Sequence, residues 1–127
     1  MATSGQLAGR VVLVLENDYF AADDERAALE AEGARVLGPF SQAGQAIAAA
    51  ERARPDCALV DINLGSGPDF AAARELIARG VPIVFVTGYE RAVLPSDLAA
   101  AAWLQKPFTE DSLVAAAAAV LGPAPAS

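Results

Sequence analysis

The chain contains no histidine. This removes histidine-based catalytic triads, most zinc sites and any histidine phosphoacceptor from its chemistry. There is one cysteine, Cys57, inside an apolar run. No intramolecular disulfide can form, and a reducing cytosol is the simplest compartment. In such a run the thiol reads as buried and inert. No apolar stretch reaches the roughly 18 residues needed to span a bilayer, and the N-terminus lacks the charged-then-apolar order of a secretory signal. Positive charge is scarce: nine Lys and Arg against sixteen Asp and Glu leave a net charge of −7. A nucleic-acid-binding surface needs a basic patch, which this balance argues against. Internal repeats and linkers are also absent.

What is present is a chain of 127 residues, 54% of them hydrophobic. That length fits one ordinary domain, with enough apolar material for a core. Much of it is alanine, which suits helices lying close to a sheet. Strand-like and helix-like segments alternate. Strands are expected at about 10–15, 35–37, 57–60, 82–86 and 101–105. Between them lie helices at about 19–32, stopped by Gly33, and 42–53, with Ser41 as N-cap and Ile47 and Ala50 inward. A third helix has Pro68 in its first turn, repeats Phe70, Ala73 and Ile77, and ends at Gly80. Pro95 interrupts 89–100, which reads as a short or irregular helix. Thr109 caps the last helix, whose apolar stripe is Leu113, Ala117, Val120 and Leu121. Met1 to about Gly9 reads as a disordered lead and 123–127 as a frayed tail. Right-handed crossovers make this alternation an α/β fold, a five-stranded, doubly wound parallel sheet with helices on both faces.

Four apolar runs end in residues that phosphate chemistry uses. Val11–Leu15 leads into Glu16, Asn17 and Asp18; Cys57–Val60 stops at Asp61; Ile83–Val86 stops at Thr87; Ala101–Gln105 stops at Lys106. Parallel strands buried on both faces carry such runs, and open sheets bind ligands outside the carboxyl ends of their strands. A carboxylate can attack a phosphoryl group if cations and donors offset the charge on its oxygens. Asp61 is the candidate nucleophile. Glu16, Asn17, Asp61 and the carbonyl of Asn63 are candidate Mg²⁺ ligands. Lys106 supplies an ammonium and Thr87 a hydroxyl.

In the order and spacing of Glu16-Asn17-Asp18, Leu59-Val60-Asp61-Ile62-Asn63-Leu64, Thr87-Gly88 and Lys106-Pro107-Phe108, the chain resembles the receiver domain of two-component response regulators. The resemblance spans about residues 10–121 and gives one receiver domain over 1–127, with the (βα)5 flavodoxin-like fold. It implies that Asp61 accepts a phosphoryl group from a phosphohistidine on a histidine kinase or phosphotransfer protein, with Mg²⁺ bound. The Lys106–Pro107 bond would be cis, a minority state on physical grounds alone. Thr87, Tyr89 and Trp103 would form the switch, and a downstream protein would read the result. On this reading the chain is not an enzyme beyond promoting its own phosphorylation and dephosphorylation. It works in the cytoplasm, and homodimer formation stays open. Pro82-Ile83-Val84-Phe85-Val86-Thr87-Gly88-Tyr89 further resembles the Phe-x-Thr-Gly-x-Tyr signature of the FATGUY subgroup, often stand-alone receivers paired with HWE-type or related kinases; the Phe, Thr, Gly and Tyr are kept in a slightly contracted form.

One departure stands out. Receivers usually carry two acids at the end of the first strand, and here the pair is Glu16-Asn17. An amide binds Mg²⁺ without contributing charge, so weaker affinity is expected. Two other readings remain. A pseudo-receiver would use the same fold as a phosphorylation-independent interaction module. A phosphohydrolase of the haloacid dehalogenase type needs a second Asp two residues after the nucleophile, where this chain has Asn63. Each motif residue also has a plain role available: Asp61 as a cap, Lys106 as a solvated lysine, Thr87 as a turn hydroxyl, Trp103 as core.

Overall fold

The computed structural model describes residues 5–65 and 67–122. Along the chain run β1 (Val11–Leu15), α1 (Tyr19–Ala31), β2 (Arg35–Phe40), α2 (Ala43–Ala53), β3 (Cys57–Val60), α3 (Ala71–Ala78), β4 (Ile83–Thr87), β5 (Ala102–Gln105) and α4 (Glu110–Leu121). The pleat sends alternate side chains to opposite faces. It therefore sorts the apolar runs into two layers. Val12, Val14, Cys57, Leu59, Val84 and Val86 pack with Ala28, Leu29, Leu113 and Ala117, under α1 and α4. Leu13, Leu15, Ala58, Val60, Ile83 and Phe85 pack with Ala46, Ala50, Ala73 and Leu76, under α2 and α3. Alanines at the helix–sheet contacts let the helices lie close, as the composition implied.

The five strands are all parallel, in the order β2-β1-β3-β4-β5. The order reverses between β1 and β3, which makes the carboxyl ends of these two strands the switch point where open α/β sheets bind ligands. No helix among the described residues is long and apolar enough to cross a membrane.

Several local expectations are corrected. The lead is not loose from residue 5 onward: Leu7 is fully buried, and its N–H donates to the Glu32 carbonyl at 3.0 Å. Residues 1–4 and the tail 123–127 lie outside the described residues. Strand β2 does not stop at Leu37 but continues through Gly38-Pro39 to Phe40. The pairing slips there, from Leu13 opposite Leu37 to Leu15 opposite Phe40. Gly38 takes the extra position at φ 98°, where a Cβ would stand 2.7 Å from the Phe40 nitrogen. The N-cap of α2 is Gln42 rather than Ser41. Helix α3 starts at Ala71, because Pro68 pairs back with Asn63 across a small loop and Asp69 accepts the Ala71 N–H at 2.9 Å. Its buried face is Ala72, Ala73 and Leu76, which leaves Ile77 exposed. The short, irregular helix expected over 89–100 takes the form of two 3₁₀ turns, Arg91–Val93 and Ser96–Leu98. The last helix begins as expected, with Thr109 and Ser112 in a reciprocal capping box.

Burial pushes the Cys57 thiol up to about 12, with the neighbouring Asp56 acting in the same direction. The native protein is therefore expected to resist a thiol reagent at pH 8 and to react stoichiometrically once unfolded in denaturant. Rapid native labelling contradicts this placement.

Candidate functional site

Register assembles the site. Leu15 pairs with Val60, so the next residues, Glu16 and Asp61, stand side by side beyond β1 and β3. The Asp61 N–H donates to the Leu15 carbonyl at 2.9 Å. Thr87 pairs with Gln105, and the Lys106 N–H donates to the Thr87 carbonyl at 2.8 Å. This brings the Lys106 side chain over both acids. Its Nζ donates to Glu16 Oε2 at 2.8 Å and to Asp61 Oδ2 at 3.1 Å. Glu16 is 2% exposed and Asp61 5%. Main-chain donors complete the shell: the Asp18 N–H to Glu16 Oε2 at 3.0 Å and the Asn63 N–H to Asp61 Oδ1 at 2.9 Å. The Lys106–Pro107 peptide bond is cis.

Glu16, Asp61 and Lys106 thus touch directly. Asn17, Asp18, Asn63, Gly88 and Tyr89 join Asp61 and Lys106 in lining an open cleft of about 550 Å³. Thr87 is fully buried, and its Oγ1 accepts the Tyr89 N–H at 3.3 Å. Trp103 sits apart in the α2–α3 layer, with its ring 6.1 Å from that of Phe85. Tyr89 packs against the same layer. Asp18 is a helix cap, accepting the N–H groups of Phe20 at 2.9 Å and Ala21 at 3.2 Å.

The sequence reading missed Glu25. It lies on α1, 1% exposed, against Glu16. The signal was an acid in line with Ala22 and Leu29, three residues before and four after it, which are buried on the same stripe. Glu16 Oε1 and Glu25 Oε2 are buried and meet no donor among the described side chains and backbone. Two carboxyls in this position share a proton, since like charges this close cannot both ionise. Burial, reinforced by Glu16, pushes Glu25 up to about 10. Burial also raises Glu16, although Glu25, Lys106 and the Asp18 N–H oppose it. Glu16 has the Lys106 ammonium against it, so Glu25 keeps the proton. For Lys106, burial works downward, but the Glu16 and Asp61 carboxylates outweigh it and hold the ammonium above its ordinary value.

The sign for stability follows. Between about 4.5 and about 10 the unfolded chain releases the Glu25 proton and the fold keeps it. Stability therefore falls as pH rises through that window, with a limiting slope of about 1.4 kcal/mol per pH unit. In urea titrations without metal, Glu25→Gln is expected to lose this component and to gain on wild type steadily from pH 5 to pH 9. Parallel curves contradict the assignment.

The donor set suits a hard cation. Mg²⁺ takes oxygen ligands and usually keeps several waters, so few protein donors are needed. Asp61, Asn17 and Asn63 bring carboxylate, amide and main-chain oxygen to the same cleft. No group of three or more acidic or cysteine side chains is gathered for a metal among the described residues. The site fits the ion at a reduced negative charge.

Residues 12–118 match the family model of the response regulator receiver domain. The transcriptional regulatory protein PdtaR of Mycobacterium tuberculosis is 29% identical over 111 residues, which cover 84% of this chain and 54% of that protein. The chain thus spans about half the length of the curated relatives it matches. Among solved structures, the signal receiver domain of a modulated diguanylate cyclase from Desulfovibrio desulfuricans is 30% identical, with a TM-score of 0.75 over 88% of this chain and 93% of that one. The response regulator PhyR from Brucella abortus is 26% identical, with a TM-score of 0.80 over 94% of this chain and 50% of that one. With its sheet order, the acids at the switch point and a family match across most of its length, this chain belongs to the response regulator receiver domain family.

Proposed function

We propose that this chain acts as a single receiver unit whose Asp61 takes a phosphoryl group from a phosphohistidine on a histidine kinase or phosphotransfer protein. The observation that carries this is the setting of Asp61. It is a nearly buried carboxylate on a cleft wall, with one oxygen on Lys106 and the other on the Asn63 N–H. In the transfer, an Asp61 oxygen bonds to phosphorus as the phosphorus–nitrogen bond breaks, and the departing imidazole nitrogen keeps the electron pair. Lys106, already within reach of Asp61, follows the growing charge onto a phosphoryl oxygen as a charge-assisted donor. Glu16, Asn17, Asp61 and the Asn63 carbonyl would hold Mg²⁺, which offsets phosphoryl charge when bound.

The switch runs through Thr87. Its oxygen accepts the Tyr89 N–H, and its own O–H remains available to donate to a phosphoryl oxygen, which would couple the site to the segment that follows. In that segment Arg91 donates to the Ala99 and Ala101 carbonyls at 2.6 and 3.1 Å. Arg74 and Asp97 fasten the same segment to α3 through two bonds of 3.0 and 3.1 Å. The surface around these turns, β5 and α4 is the one a downstream protein would read. Shifting it from 1:99 to 99:1 requires about 5.5 kcal/mol of differential stabilisation, within the range of a few charge-assisted bonds. The Phe85–Tyr89 signature supports a FATGUY-like receiver paired with an HWE-type kinase. The lone buried thiol suits the cytoplasm.

Trp103 is the single tryptophan, so its fluorescence reports one place. A saturable change is expected with Mg²⁺ and a larger one on adding beryllofluoride. Asn17→Asp is expected to tighten Mg²⁺ by about tenfold or more, because it adds a charge at the cleft. Beryllofluoride binding without Mg²⁺, or equal affinity in Asn17→Asp, counts against the proposed ligand set.

A further inference from the structure

The two edges of the sheet are finished differently. At one edge, β2 carries an exposed Arg35, the bulge at Gly38, and Pro39, which has no N–H to offer. Charges, bulges and prolines of this kind keep an edge strand from pairing with another chain. At the other edge, β5 reads Ala102-Trp103-Leu104-Gln105 and has none of the three. Its ladder with β4 fixes which backbone groups are free. The Lys106 N–H donates to the Thr87 carbonyl, and a parallel ladder uses every second residue of a strand. Ala102 and Leu104 therefore turn their backbone groups to β4, whereas Trp103 and Gln105 turn theirs outward. None of these four outward groups is bonded elsewhere among the described residues.

The surroundings of this edge are uncharged in a chain of net charge −7. No side chain from Leu98 to Gln105, or from Ser112 to Gly122, carries a charge. Helix α4 shares a layer with Leu104. Its exposed positions past the first turn hold Ala115 and Ala119, where a surface helix ordinarily carries polar groups. Two acidic copies of this chain meet least repulsion here.

We propose that β5 pairs antiparallel with β5 of a second copy, about a two-fold axis at Leu104, and joins two five-stranded sheets into one. Trp103 of each copy then faces Gln105 of the other. Each such pair exchanges two N–H···O=C bonds, which satisfies all four free groups of each edge. The outward-inward-outward pattern over Trp103, Leu104 and Gln105 is the same read in either direction. This self-complementarity selects a second copy over an unrelated strand, and the two-fold closes the assembly at two chains. The pairing needs neither Mg²⁺ nor a phosphoryl group, so it stands apart from the receiver reading. It covers the β5 part of the surface assigned above to a downstream protein, and the two occupants exclude one another there.

The test follows sedimentation and amide hydrogen exchange of the full chain from about 10 µM to about 1 mM, the range in which a small interface associates. The weight-average mass is expected to rise from one chain toward two. The Trp103 and Gln105 amides are expected to exchange rapidly in dilute protein and about tenfold or more slowly in concentrated protein, with the Leu104 amide slow throughout. Gln105→Pro removes one outward donor from each copy, and an edge strand tolerates proline where the N–H faces away from the ladder. This variant is expected to fold and to stay single. A wild type that stays single to the highest concentration overturns the proposal and leaves the edge to a strand of another protein. So does a dimer whose Trp103 and Gln105 amides exchange equally fast at every concentration, because its interface lies elsewhere. A dimer unweakened in folded Gln105→Pro overturns it as well. If that variant does not fold, the wild-type exchange rates still decide.

Discussion

The ion pair of Lys106 with Glu16 and Asp61 is the interaction on which the rest of this molecule depends. It ties the carboxyl ends of β1, β3 and β5, three strands far apart in sequence. Two acids at 2% and 5% exposure tolerate burial only because one ammonium, two main-chain N–H groups and a neutral Glu25 surround them. Pairs of this kind are weak evidence for stability, since desolvation offsets most of the attraction. Their presence at a switch point is better understood as stored chemistry. In the proposed transfer, breaking Lys106 away from Asp61 leaves a charge that needs a new partner, and the arriving phosphoryl group would provide one for the ammonium.

The fold supplies the precision that this arrangement needs. Alternation along five short strands fills two apolar layers, and alanine-rich helices close over them. The strand ends are therefore rigid, and the residues just past them inherit that rigidity. Beyond Thr87 the chain has two 3₁₀ turns in place of a helix, held by the buried Leu98 and by exposed arginine contacts.

Much of this was legible in the sequence because buried parallel strands advertise themselves as apolar runs with a polar stop. Asp61, Thr87 and Lys106 were found by that rule alone. What escaped it has physical reasons. Gly38-Pro39 carries the punctuation of a turn, but a bulge against β1 uses the same glycine freedom without ending the strand. Leu7 looked like part of a loose lead because one buried leucine has no periodicity to reveal it. Pro68 suits a helix start, yet the loop closes on Asn63 before α3 begins. Glu25 was hidden in a helix rich in acids, most of them solvated. Only its alignment with Ala22 and Leu29 marks it as buried.

The central claim is that Asp61 is the residue that becomes phosphorylated. It is tested most directly by intact-mass analysis after incubation with Mg²⁺ and phosphoramidate, a small donor with the phosphorus–nitrogen bond of phosphohistidine. One added phosphoryl group is expected on wild type, labile in base as an acyl phosphate should be, and none on Asp61→Asn. An unmodified wild type, or the same gain in mass in Asp61→Asn, would contradict it.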